Sequence, residues 1–85
     1  MSRKEQFLSG DVAIQVISAS QSDQLIALAA ENNIFPGGMT TDTYERHPYY
    51  YIQGNDWLMA VTDAEMALSA CGAVIKYERL EEGTE

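Results

Sequence analysis

Eighty-five residues, 46% hydrophobic and 21% charged, can build one small core and leave no room for a second domain. Thirteen acids against five bases give a net charge of −8, so the cations that would neutralise a phosphate backbone are missing and direct nucleic-acid binding is the wrong expectation. A single cysteine cannot form an internal disulfide, MSRKEQFLSG lacks the apolar run of a signal peptide, and no stretch approaches the ~20 apolar residues of a bilayer span, which together predict a cytoplasmic protein with no membrane role.

Residues 12–18, VAIQVIS, are β-branched and partly alternating, and predict a first strand with Val12, Ile14 and Val16 on one face and Ala13, Gln15 and Ile17 on the other. The period then changes. Leu25, Ile26, Leu28 and Ala29 recur at helical spacing behind Ser20 or Ser22 as the cap, which predicts a helix over residues 22–32 ended by Asn32-Asn33. A long connection follows through residues 33–47, within NIFPGGMTTDTYERHP at 33–48, with Ile34, Phe35 and Met39 able to pin its first half to the core.

HPYYYIQGNDWLMAVTD reads as a hairpin. A two-residue turn at Gly54-Asn55 suits the type II′ geometry and sets Gln53 opposite Asp56, Ile52 opposite Trp57, Tyr50 opposite Met59, Tyr51 opposite Leu58 and Tyr49 opposite Ala60. Tyr50 then belongs to the core, and Tyr49, Tyr51 and Leu58 to the other face. Next, Thr62-Asp-Ala-Glu65 has the capping-box spacing and Gly72 is a fitting stop, so a short helix lies between them with Met66, Ala67, Ala70 and Cys71 as its small-residue face. Residues 73–80, AVIKYERL, predict a last strand, and EEGTE a solvated acidic tail at 81–85.

The order strand, helix, strand, strand, helix, strand predicts an α+β domain over residues 1–80 of the ferredoxin-like βαββαβ kind, one four-stranded antiparallel sheet with both helices on one face. The opposite face would be open, carrying Tyr49, Tyr51 and Leu58 with Ala13 and Ile17. Tyrosines on such a face suit an interface, because the ring buries area while the hydroxyl keeps a hydrogen bond. If the N-terminal segment with Phe7 and Leu8, or the long connection, folds over that face, the same side chains are ordinary core.

Catalytic chemistry is thinly represented. His47 near Asp42, Glu45 and Arg46 has the elements of an acid–base or metal site, but one histidine before a proline and one distant cysteine make no metal spacing. Cys71 reads as a packed apolar residue, Pro36-Gly37-Gly38 as a turn without a phosphate-loop lysine, and Asp63 with Glu65 as helix-start carboxylates. No cofactor or metal is expected.

VAIQVIS, the serine-capped helix, HPYYYI and the closing VIKYERLEE together resemble the small accessory proteins encoded by bacteriophages and prophages, over most of residues 8–82. The resemblance implies an accessory role directed in some cases at host defence or metabolism, and carries no active-site motif. The leading expectation is a non-enzymatic interaction module, with Tyr49, Tyr51, Leu58 and Ile17 at its interface and a host protein or a second copy of itself as partner. The alternatives are an acidic nucleic-acid mimic that inhibits a host DNA- or RNA-binding protein, and a small ligand-binding domain or enzyme built on His47.

Overall fold

The computed structural model describes residues 3–36, 40–54 and 56–81. In chain order these form α1 (Arg3–Leu8), β1 (Ala13–Gln15), α2 (Ala19–Glu31), β2 (Phe35–Pro36), a 3-10 turn (Thr41–Glu45), β3 (Tyr49–Gln53), β4 (Trp57–Val61), α3 (Ala64–Cys71), β5 (Val74–Lys76) and a second 3-10 turn (Tyr77–Glu81). None of the described helices is long and apolar enough to cross a membrane.

The chain is α+β, but its sheet is mixed. The strand order is β2-β4-β3-β1-β5, with β3 antiparallel to both neighbours and the outer pairs β2·β4 and β1·β5 parallel. A ferredoxin-like sheet is antiparallel throughout, so the expected arrangement differs in both order and direction. Its cause lies in the connections. From β1 the chain crosses through α2 to β2 at one edge, and from β4 it crosses back through α3 to β5 at the other. β1 and β4, each antiparallel to β3, run the same way, and right-handed crossovers that leave parallel strands in opposite lateral directions place their helices on opposite faces of a sheet.

Burial agrees with that placement. Val12, Ile14, Val16, Tyr50, Ile52 and Leu58 are buried in one cluster with Phe7 of α1 and Leu25 and Ala29 of α2. Ala13 points the other way from Ile14, yet it is completely buried, as is Ala67 of α3, and α3 lies against β3, β5, β1 and β4. The helices therefore cover both faces, where both predicted helices were expected on one.

Local chemistry explains the element boundaries. Ser18, earlier than either serine expected to cap, accepts from the Gln21 N–H, while Gln21 Oε1 accepts from the Ile17 N–H at 3.0 Å, so α2 starts a turn ahead of residue 22. Ser22 is released from capping and is buried, its hydroxyl 2.6 Å from that of Tyr50. Asn33, at φ 62, takes the left-handed conformation expected at the helix end. The unpredicted α1 is held by Phe7, and Gly10 makes its turn into β1: φ is +88, and a Cβ there would lie 2.9 Å from the Ile52 carbonyl oxygen.

At α3 the cap is Asp63, which accepts from the Met66 N–H at 2.9 Å, and Gly72 at φ 85 ends the helix as expected. Thr62, the expected cap, instead donates its hydroxyl to the Met66 sulfur at 3.7 Å. Asp63→Ala is therefore expected to cost about 1 kcal/mol in chemical denaturation, and Thr62→Ala only a few tenths. Equal losses from the two would show that Thr62 shares the capping.

The hairpin register is shifted by one residue. Gln53 pairs with Trp57, leaving a three-residue connection with Gly54 at φ 67, and the pairs are Ile52 with Leu58, Tyr51 with Met59, Tyr50 with Ala60 and Tyr49 with Val61. A one-residue slip turns every β4 side chain to the other face. Volume favours the observed alignment: Tyr50 lies opposite small Ala60 and Ile52 opposite Leu58, whereas the two-residue turn would crowd Trp57 and Met59 beneath α2. Leu58 accordingly moves into the core, and Trp57 leaves it.

The last predicted strand is only three residues long, since Tyr77–Glu81 turns into a 3-10 helix in which Tyr77 donates a hydrogen bond to Gln24 of α2. In the long connection, β2 and the Thr41–Glu45 turn supply the structure that the sequence did not reveal. Met39, the glycines at 37 and 38, Asn55 and tail residues 82–85 lie outside the described residues.

Candidate interaction face

The face of the sheet under α3 carries three rows of side chains set by the strand pairing. Phe35, Trp57 and Gln53 form the first, Met59 and Tyr51 lead the second toward Ala13 and Val74, and Val61, Tyr49, Gln15 and Lys76 form the third. Helix α3 closes over the Ala13 part, and the small side chains of Ala13 and Ala67 allow the close approach. Tyr49 and Tyr51 are half-buried on this face, so neither is a freely projecting ring.

The other expected interface residues are separated. Leu58 is completely buried on the opposite side of the sheet and contributes to no surface, because the register shift turned it inward. Ile17 is 64% exposed, but it lies beyond the end of β1, where its backbone N–H meets Gln21. The four residues do not form one patch. N-terminal Phe7 does fold onto the sheet, but onto the Tyr50 side, where it joins the core.

The large apolar side chains that this face leaves exposed are at its β2 corner. Phe35 is 60% exposed and Trp57 is 49% exposed, and they lie directly side by side on neighbouring parallel strands. Half-buried Met59 sits next along β4, and the Thr62 contact holds the half-exposed Met66 near that strand's end. Two expectations hid this corner: of the residues expected to pin the long connection to the core, Ile34 is buried but Phe35 is not, and the two-residue turn sets Trp57 opposite Ile52 on the core face, from which the observed register removes it. The available signal was the pair of large aromatics flanked by Pro36, Gly54 and Asp56, residue types that end strands.

His47 is half-buried, and its backbone N–H donates to the Thr43 carbonyl at 2.9 Å, closing the 3-10 turn; Asp42 and Glu45 are exposed. Among the described residues no three His, Cys, Asp or Glu side chains come together as a metal-holding group. The Cys71 thiol is pushed up from its ordinary 9.0, first by burial and then by the negative charge of Asp11, which disfavours the nucleophilic thiolate. Every described acid from Glu5 to Glu78 is exposed, on α1, the turn into β1, α2, both 3-10 turns, the hairpin turn and around the start of α3, so acids are spread over many parts of the surface.

No protein-family model matches the chain, and comparison with curated proteins and with solved structures returns no match.

Proposed function

We propose that the chain is a non-catalytic protein-interaction module that docks a partner on the β2 corner of the sheet, around Phe35 and Trp57. One observation carries this reading: two aromatic side chains stand in register on adjacent strands, each about half exposed, on a face that α3 covers elsewhere. Together they expose roughly 200–250 Å2 on the scale of aromatic side chains. Withdrawing that area from water is worth about 5–6 kcal/mol before the costs of association, enough to anchor an interface though not to be all of one. Trp is also among the residues that most often dominate binding energy. The resemblance to phage and prophage accessory proteins fits a module of this kind.

The experiment compares wild type with Phe35→Ser/Trp57→Ser as bait in the same cell extract. A partner held by wild type is expected to be lost from the double variant, which stays folded because each position is about half exposed and its truncation costs only about 1 kcal/mol. Equal retention by the two baits overturns the reading. The net charge of −8, with the acids at the surface, favours a second reading, imitation of nucleic acid toward a host binding protein. Its signature is a partner released by about 0.5 M salt from both baits alike.

A further inference from the structure

We infer that the occupant of the Phe35–Trp57 corner is a cationic segment of another protein that inserts an apolar side chain between basic ones, and not a second copy of this chain. The inference rests on the docking reading above and adds to it the chemistry of the partner.

The rim of the corner is negative. Asp56 immediately precedes Trp57 and is exposed, and its backbone carbonyl accepts from the Phe35 N–H at 3.3 Å, which ties the two sides of the corner together. Helix α2 ends just before β2, with exposed Glu31 as its last residue and no basic residue in its last turn. Glu31 adds its charge to the negative end of the α2 dipole, so the chain enters β2 from an acidic helix end on the Tyr50 side of the sheet. The chain's own cations are placed elsewhere. Arg3 and Lys4 are on α1, Arg46 ends the first 3-10 turn, and Arg79 is in the second. Lys76 is on β5 at the opposite edge, four strand spacings or about 19 Å from β2.

A second copy fits this corner poorly. A two-fold interface brings each patch against the same patch of the other copy, so two acidic rims would be set together while two chains of charge −8 approach. The apolar area is also short of the ~800 Å2 per partner that a stable interface buries, so a homodimer would have to enclose the acidic rim. Strand addition at the edge is limited as well, since β2 has two residues and one of them, Pro36, has no N–H to donate. A basic segment with one apolar anchor avoids all three difficulties, and the surrounding field accelerates its encounter.

The chain's one tryptophan lies in the corner and reports on its occupation. The probes are two tryptophan-free amphipathic 18-residue peptides, one of leucine and lysine and the other of leucine and glutamate, titrated against the whole protein at low salt while Trp57 emission is read. The lysine peptide is expected to shift the emission to the blue and shield it from acrylamide. Its affinity should fall at least tenfold in Phe35→Ser and about threefold to tenfold in Glu31→Gln/Asp56→Asn, whereas the glutamate peptide leaves the emission unchanged. An equal response to both peptides, or none to either, overturns the cationic-partner inference while extract capture can still depend on Phe35 and Trp57. Lysine-peptide binding that survives Phe35→Ser shows attraction to the general acidic surface and also overturns it. A blue shift on raising the concentration of the protein alone, matched by a dimer on sizing, overturns it in favour of a second copy.

Discussion

Leu58→Ala is expected to lower the unfolding free energy by about 3 kcal/mol, within the ~2–5 kcal/mol range for truncating a buried leucine. Leu58 is completely buried in the cluster with Ile52, Tyr50 and Leu25, so the substitution removes apolar burial and leaves a cavity beneath α2. A domain of this length has total stability of roughly 4–13 kcal/mol, so the change should be plain in urea denaturation. The neighbouring substitution gives the contrast. Trp57→Ala truncates a larger residue, yet one that is 49% exposed on the other face, and is expected to cost about 1 kcal/mol. With the two-residue turn the order would reverse, because Trp57 would be in the core and Leu58 outside. A larger loss at Trp57 than at Leu58 would therefore disprove the observed register.

The same contrast shows what was legible in the sequence. The strand around residues 49–53, the burial of Tyr50 and Ile52, the helix containing Leu25 and Ala29, its end at Asn33 and the glycine stop at Gly72 all follow from local period and turn chemistry, and the structure has them. The turn length at 54–56 is decided by tertiary volume, by Tyr50 needing Ala60 opposite it, and a Gly-Asn pair carries no information on that. One residue of error there exchanged Leu58 for Trp57 and with them the assignment of the interface.

The topology was less legible for a related reason. Phe35–Pro36 is two residues long and Val74–Lys76 three, too short for alternation to register, and their partners are far away in sequence. RKEQFL shows no full helical period, and α1 exists because Phe7 finds the core and Gly10 permits the turn over Ile52. The order of the expected elements implies α+β, which the structure has, but not that the two crossovers leave strands running the same way. That relative direction decides whether a sheet face is left open, and it reduces the expected open face to a single corner.

Ser22 and Tyr50 offer the second large effect, because their bond joins α2 to the centre of the sheet. Both residues are completely buried, and the two hydroxyls lie 2.6 Å apart. Among the described residues no buried side-chain nitrogen or oxygen lacks a partner. Ser22→Ala leaves the phenol buried without its serine partner and is expected to cost about 2 kcal/mol; Tyr50→Phe leaves the smaller hydroxyl and costs about 1–2. The double variant should lose clearly less than the sum, with about 1 kcal/mol of coupling, since it removes both polar groups together. Additive losses would mean that the bond contributes nothing of its own. Burial pushes the Tyr50 phenol up from its ordinary 10.0, against a smaller lowering by the Ser22 hydrogen bond. Between the unfolded and folded values the folded chain keeps a proton that the unfolded chain has released, so this contribution is intact below about pH 10 and is lost as pH rises beyond it. Cys71, raised from 9.0, acts in the same direction from a lower pH. Denaturation between pH 8 and pH 11 should therefore show an alkaline loss that Tyr50→Phe reduces at its upper end and Cys71→Ser at its lower end. An alkaline limb unchanged in Tyr50→Phe would show that the buried phenol is not what resists ionisation.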